Sequence, residues 1–252
     1  MNKTILTVAG LMLVGSPVFA QTTTPSVSVT TPGITSGMTT GENGGQLKTT
    51  LTNAGVTDLN QVNGMALTGK TSSGLPVMVI VGPKDLKTTS AMNVNREDVL
   101  KALKQAGLQD VNAANGAQMF RGMTDDHDND KEAVLAISGV NLAANGSVNG
   151  SLNTSEFDKG LQNAGIKSEA KFNGKLARAT TSNGQTIYMI VGDNDLMAQT
   201  GDKSFNFDDK AVRQSFDKGG LTNLKVLDNV HLVQGMMNDH TVFAITGTGL
   251  QG

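Results

Sequence analysis

Apolar residues recur at helical spacing in four short stretches of the chain. The clearest stretch begins at Arg96, where Val99 and Leu103 lie on one face. Asn95 can cap the start of this helix and Gly107 can end it. The same period of about 3.6 residues predicts three further helices. These cover residues 46–54, 156–164 and 208–218.

Each predicted helix is followed by two runs rich in apolar and β-branched residues, with turn residues between them. This pattern is typical of a β-hairpin. The predicted strand pairs are residues 63–71 with 75–81, 117–123 with 133–140, 175–181 with 185–191, and 230–237 with 241–246. The chain therefore consists of four predicted helix-strand-strand units, which we label A, B, A′ and B′ in chain order.

The first and third units are copies of each other. Residues 47–86 recur as residues 157–196 without a gap, so that Asn63-Gly64 matches Asn173-Gly174. The second and fourth units match more weakly, through a Gly-Met dipeptide and an Asp-His dipeptide in the same hairpin. Repeats of this kind indicate that a segment of two units has been duplicated.

One helix on one hairpin buries too little surface to be stable alone, whereas two units can pair their hairpins. The sequence therefore predicts an α+β fold of two tandem domains, each built from two helix-strand-strand units. In each domain the hairpins would form a four-stranded antiparallel sheet with both helices on one face. The predicted domains are residues 47–141 and 156–252, joined by a linker at residues 142–155 that is rich in Asn, Gly and Ser.

Two predicted strands, residues 75–81 and 186–191, lack the apolar-polar alternation of a sheet with one solvated face. Two explanations are open. Both faces can be covered, because the strands are central or because the domains pack together. Alternatively, an open apolar face receives a partner protein. The partner-binding residues would then be Met78, Ile80, Tyr188 and Ile190.

Two hairpins carry an Asp-His dipeptide close to methionine residues. Thioether sulfur and imidazole nitrogen suit a soft ion such as copper(I), so these hairpins favour an alternative function, periplasmic metal binding. The candidate ligands are Met123, Asp126, His127, Met236, Met237, Asp239 and His240. Methionine is also an ordinary core residue, and duplication alone would preserve the pattern.

The first of these hairpins also has alternating carboxylates at Asp126, Asp128 and Asp130, which is the spacing of oxygen ligands in a calcium-binding EF-hand. The rest of that motif is missing. Lys131 stands where the loop needs glycine, and Ile137 stands where it needs a bidentate glutamate. We therefore interpret the segment as a solvated acidic loop.

The N-terminal region has the pattern of an exported protein. Residues 1–20 combine Lys3, a short apolar run and a small-residue cleavage site, as in a secretory signal peptide. An uncleaved membrane anchor is the alternative. Residues 21–46 are rich in Thr, Ser, Gly and Pro, which predicts a flexible leader or, alternatively, a partner-binding tail. The absence of cysteine favours a bacterial periplasmic or secreted protein that is stabilised by burial.

Composition and motifs exclude several classes of function. A formal net charge of −2 gives no electrostatic basis for binding nucleic acid or an anionic membrane. After the signal peptide, no apolar run is long enough to span a bilayer. The sequence has no nucleophile elbow, no Walker-type phosphate loop and no His-Glu-x-x-His motif. It therefore predicts a protein that is not an enzyme and uses no cofactor; an enzyme of an unrecognised kind is the remaining alternative.

The order of elements in residues 51–81 and 161–191 resembles the PepSY-type modules of exported bacterial proteins. In both ranges a helix ends at Asn-Ala-Gly and is followed by a strand, a Gly-containing turn and a β-branched strand. Tandem pairs of such units are similar to the architecture of the secreted β-lactamase inhibitory proteins. The resemblance implies a non-catalytic module that binds or inhibits an unidentified envelope or secreted protein.

Overall fold

A computed structural model describes residues 42–86, 92, 94–125, 131–142, 151, 153–172, 174–192, 196 and 206–251. All of these residues belong to one compact unit. Among the helices in the described ranges, none has the length and apolar character needed to cross a membrane.

Four α-helices occur in these ranges, each where the apolar period predicts one. They are α1 (Glu42–Asn53), α2 (Arg96–Gln105), α3 (Thr154–Asn163) and α4 (Lys210–Lys218), and a short 3₁₀ helix, Thr248–Gln251, follows the last strand. The predicted cap of α2 is confirmed, because the Asn95 side chain accepts a hydrogen bond of 2.9 Å from the Glu97 N–H. Helix α4 begins later than predicted because Asp209 is its cap, accepting from the N–H groups of Ala211 and Val212.

The described residues also form twelve strands. They are β1 (Thr57–Gln61), β2 (Met65–Lys70), β3 (Pro76–Pro83), β4 (Gln109–Ala113), β5 (Gln118–Asp125), β6 (Lys131–Ser138), β7 (Lys167–Lys171), β8 (Lys175–Thr181), β9 (Thr186–Gly192), β10 (Leu221–Val226), β11 (Val230–Met237) and β12 (His240–Gly247). The four predicted hairpins are confirmed as β2–β3, β5–β6, β8–β9 and β11–β12.

One further strand precedes each hairpin, so that each unit is helix-strand-strand-strand. These additional strands, β1, β4, β7 and β10, lie at the edges of the sheets, and the pairing register shifts within each of them. In three of them the shift falls at a residue with positive φ, namely Asp58, Asp110 or Asn223. Such bulges break the period-two pattern and discourage pairing with another chain. Their Asp and Asn residues are also poor strand formers, so the sequence does not predict these strands.

The strands form two antiparallel sheets of six strands each. Sheet 1 has the order β1-β5-β6-β9-β8-β10, and sheet 2 has the order β4-β2-β3-β12-β11-β7. At the centre of the sheets β6 pairs with β9, and β3 pairs with β12. The predicted α+β fold of two tandem domains with separate four-stranded sheets is therefore wrong. Residues 47–141 and 156–252 contribute strands to both sheets of a sheet-rich fold.

Three apolar clusters show how the layers are arranged. The largest lies between the sheets and contains Leu135 and Ile137 from sheet 1 with Phe243 and Ile245 from sheet 2. A second cluster joins the outer face of sheet 1 to helices α1 and α4, and a third joins the outer face of sheet 2 to helices α2 and α3. The layers are therefore helix, sheet, sheet, helix. This arrangement covers both faces of the central strands, which explains their continuous apolar sequence.

The duplication is visible in the strand order. Replacing each strand of sheet 1 by its counterpart in the other half of the chain gives the strand order of sheet 2. Within each half, the first strand of one unit pairs with the second strand of the other unit. Units A and B thus exchange their first strands, as units A′ and B′ do. Consequently, each hairpin lies in one sheet, and the helix that precedes it in the chain packs on the other sheet.

Candidate functional site

The predicted docking surface, the apolar face of the central strands, is inside the protein. Met78, Ile80 and Ile190 have 0% exposure and Tyr188 has 3%, and all four belong to the cluster between the sheets. A partner could reach them only if the sheets separated. The interpretation of these residues as an open binding face is therefore wrong, and the alternative of a covered sheet is what the structure has.

The β11–β12 hairpin does not bring its predicted metal ligands together. Met237 and His240 are direct partners across the hairpin, and Met236 and Thr241 form the next pair. Because partners share a face and successive residues alternate, Met236 lies on the face opposite to Met237 and His240. Met237 packs in the cluster under α2 and α3. The Met236 sulfur Sδ instead accepts a hydrogen bond of 3.6 Å from the Thr241 hydroxyl. Asp239 is exposed in the turn between these strands.

Of the predicted ligands in the β5–β6 hairpin, Met123 is half-buried on β5. Asp126 and His127 lie outside the described residues. In the part of the chain that the structure describes, no group of three His, Asp or Glu side chains is close enough to hold a metal ion.

An open cleft of about 430 Å³ lies between the first turns of α1 and the β8–β9 turn. We call it the α1 cleft. The helix contributes Gln46, Thr49 and Thr50, and the turn contributes Ser182, Asn183 and Gln185. A hydrogen bond of 3.0 Å from Asn183 Nδ2 to Gln46 Oε1 joins the two walls. The cleft therefore depends on contact between the two halves of the chain.

The turn wall of this cleft has a fixed shape. The Thr181 N–H donates to the carbonyl of Gln185 at 2.9 Å, and the Gln185 N–H donates back to the Thr181 hydroxyl oxygen at 3.0 Å. The Gly184 N–H donates to the Thr181 carbonyl at 2.9 Å. Gly184 has φ +82, which glycine adopts without the strain of a side chain. The hydroxyl and amide groups of the turn are thus held in place before any ligand binds.

The helix wall includes a glycine that borders open space. A Cβ added at Gly45 would meet nothing within 4 Å, so this position in the first turn of α1 faces empty space. Glycine inside a helix costs roughly 1 kcal/mol relative to alanine. The sequence therefore departs from a local helix preference at a position that lines the cleft, and such departures are typical of functional surfaces.

The duplication provides a second, smaller cleft between the β2–β3 turn and the start of α3. Its volume is about 80 Å³, and Glu156 and Phe157 line it at the positions that Gln46 and Leu47 occupy in the α1 cleft. The second copy is therefore narrower and carries a negative charge. Of the two copies, the α1 cleft is the one open to a ligand of appreciable size.

A third recess, of about 240 Å³, lies on β2 and β4 and is lined by Lys70 and Asp110 among others. These two side chains form a salt bridge with an N–O distance of 3.0 Å. Because these two charges are paired with each other, they contribute little to the binding of a charged ligand.

Sequence reasoning did not find the α1 cleft. Gln46 and Asn183 are 137 residues apart, and nothing in their local sequences connects them. The available signals were the Gly44-Gly45 pair at a helix start and the repeated Thr-Ser-x-Gly turn. Each has an ordinary structural explanation when it is considered alone.

Comparison with known proteins identifies no relative. No family model, no curated protein and no solved structure matches the chain. The resemblance to PepSY-type modules and to β-lactamase inhibitory proteins therefore stays a prediction from the order of elements.

Proposed function

We propose that this protein is an exported, non-enzymatic binding protein of the bacterial cell envelope. In this proposal the α1 cleft receives a neutral, polar segment of a partner protein. The observation that carries the proposal is the cleft itself, which is open, preformed and lined by uncharged hydrogen-bonding groups. The proposed location rests on the signal-peptide pattern of residues 1–20.

The lining favours an uncharged ligand. None of the side chains that line the α1 cleft is acidic, basic or histidine. A charged ligand would lose hydration on entering without gaining an ionic partner, and this loss is costly. Neutral amides and hydroxyls, in contrast, can exchange their hydrogen bonds with water for bonds to Thr49, Thr50 and Asn183.

Among neutral ligands, a polypeptide segment fits better than a sugar. Every residue of an extended peptide except proline has one N–H donor and one carbonyl acceptor, which match a surface with both kinds of group. Sugars and bases commonly stack on aromatic side chains, and none lines the α1 cleft. The hydroxyl and amide groups come from two walls that face each other across the cleft, so they can contact both edges of such a segment.

Selection of peptides displayed on phage tests this proposal directly. Random peptides would be selected against the folded protein and against Gly45→Leu, which fills the cleft at a position with free space. We expect the unaltered protein to enrich peptides without charged residues, with Kd values in the micromolar range, and Gly45→Leu to enrich none of them. Equal enrichment on both proteins, or no enrichment on either, would refute the proposal.

The duplicated chain offers a matched control. Ser155 is the counterpart of Gly45 in α3, so Ser155→Leu places the same side chain beside the smaller cleft. It should leave peptide selection unchanged. A second variant, Gln46→Glu, gives the α1 cleft the charge that Glu156 gives its counterpart, and we expect it to weaken binding of the selected peptides about tenfold or more.

A further inference from the structure

The turn between β4 and β5 contains a solvent-exposed asparagine, Asn115, that is followed by glycine. Asn115 and Gly116 are both exposed, and an Ala117 N–H to Ala114 carbonyl bond of 3.3 Å closes the turn. The Asn115 side-chain oxygen Oδ1 accepts a hydrogen bond of 2.7 Å from Nη2 of Arg96, the first residue of α2. A guanidinium therefore lies against the amide carbonyl.

Asparagine followed by glycine has a known route to modification. The backbone nitrogen of the glycine attacks Cγ of the asparagine, an N–C bond forms, and the side-chain amide leaves as ammonia. Water then opens the resulting cyclic imide at either carbonyl and gives aspartate or isoaspartate. One water is consumed and one ammonia is released, and no oxidant or reductant is needed. Glycine favours the attack because it has no Cβ to obstruct the approach.

Arg96 supplies what the first step requires. As the glycine nitrogen attacks, negative charge develops on Asn115 Oδ1. A guanidinium that already donates to this oxygen stabilises the charge as an oxyanion hole does. The nucleophile is also available, because the Gly116 N–H makes no hydrogen bond to any of the described residues.

The Asn-Gly pairs at Asn63 and Asn183 lack this combination. At Asn183, the attacking nitrogen of Gly184 is engaged by the Thr181 carbonyl at 2.9 Å. At Asn63, the following Gly64 is buried so tightly that an added Cβ would lie 2.6 Å from the Val81 carbonyl oxygen. Cyclisation there would have to move packed backbone. The three sites have the same Asn-Gly dipeptide, and the fold determines how readily each of them can cyclise.

We infer that Asn115 deamidates faster than Asn63 and Asn183 in the folded protein, and that the Arg96 guanidinium accelerates this reaction. The product places a carboxylate where the amide was, so that the hydrogen bond between the Arg96 guanidinium and an uncharged amide becomes an ion pair. The isoaspartate product additionally lengthens the main chain within the β4–β5 turn. The inference does not depend on the proposed peptide binding, since Asn115 is not among the residues that line the α1 cleft.

Peptide mapping by mass spectrometry of the full chain, sampled over weeks at neutral to mildly alkaline pH, tests the ranking. We expect Asn115 to convert at least about tenfold faster than Asn183 and Asn63 while the protein is folded. In concentrated urea the three sites should convert at rates within about threefold of one another, because only their local sequences then differ. Faster conversion at Asn183 or Asn63 than at Asn115 in the folded protein would overturn the inference.

The contribution of Arg96 is tested with Arg96→Gln, and Lys101→Gln on the same helix serves as the matched control. Arg96→Gln should slow conversion of Asn115 by roughly threefold or more, and Lys101→Gln should leave it unchanged. Denaturant midpoints measured first establish that both variants are folded. An unchanged or increased rate at Asn115 in Arg96→Gln would show that the guanidinium does not assist the reaction.

Discussion

Leu135 of β6 and Ile190 of β9 are paired at the centre of sheet 1, although they belong to different halves of the duplicated chain. Both are fully buried between the sheets. The corresponding pair in sheet 2 joins β3 to β12, again across the two halves. The central strand pair of each sheet therefore joins the two copies, and each copy alone lacks the central partner of its innermost strand.

This interleaving predicts that neither half is a folded domain. Residues 42–142 or 153–252 expressed alone should show no cooperative thermal transition, because β3, β6, β9 and β12 would become edge strands with exposed apolar faces. Both halves expressed together should form a complex with the circular dichroism spectrum of the intact protein. A cooperative, monomeric transition for either half alone would contradict this prediction.

Tyr188 predicts how stability depends on pH. Burial raises the pKa of its phenol above the ordinary value, and the opposing effect of Arg178 is smaller. In the unfolded chain the phenol loses its proton at about pH 10. Between that pH and the higher pKa of the folded protein, the unfolded chain binds fewer protons, so the free energy of unfolding must decrease as pH rises.

Tyr188 is the only tyrosine and the chain has no tryptophan, which makes the experiment simple. Absorbance of the tyrosinate should increase together with the loss of β-sheet ellipticity above about pH 10. In Tyr188→Phe, the denaturant midpoint should decrease less steeply over the same pH interval. Ionisation of the tyrosine at about pH 10 without unfolding would be inconsistent with its burial.

The sequence predicts the local elements well, and their pairing poorly. The apolar periods identify four helices and four hairpins, because burial of one helix face or one strand pair leaves a local pattern. The choice of β12 rather than β6 as the partner of β3 leaves no such pattern, since all these strands are apolar on both faces. The sequence does not predict the edge strands for the opposite reason: few of their residues are buried, so they leave no apolar pattern. The α1 cleft is not predictable because it forms only after these pairings.

Substitution by alanine should have opposite effects on stability at two glycines, one beside the open cleft and one in tightly packed surroundings. Gly45→Ala should raise the free energy of unfolding by up to about 1 kcal/mol, because alanine favours the helix and nothing obstructs its Cβ. Gly122→Ala should lower the free energy of unfolding by about 1–3 kcal/mol, because its Cβ would lie 2.7 Å from the Thr57 carbonyl oxygen. Urea denaturation of both variants measures the difference, and equal effects of the same sign would contradict the described packing.

The start of α4 lies two residues later than the sequence predicts, and its cap can be tested directly. Asp209 Oδ1 accepts from the Ala211 N–H at 2.8 Å and from the Val212 N–H at 3.2 Å. Asp209→Ala removes this acceptor and should lower the free energy of unfolding by about 1–2 kcal/mol. Asp209→Asn keeps an oxygen in the same place and should retain most of the stability, so that the loss can be assigned to capping rather than to charge. If Asp209→Ala unfolded at the same denaturant concentration as the unaltered protein, the helix would have to begin elsewhere, and Phe216 on its buried face would need a different packing partner.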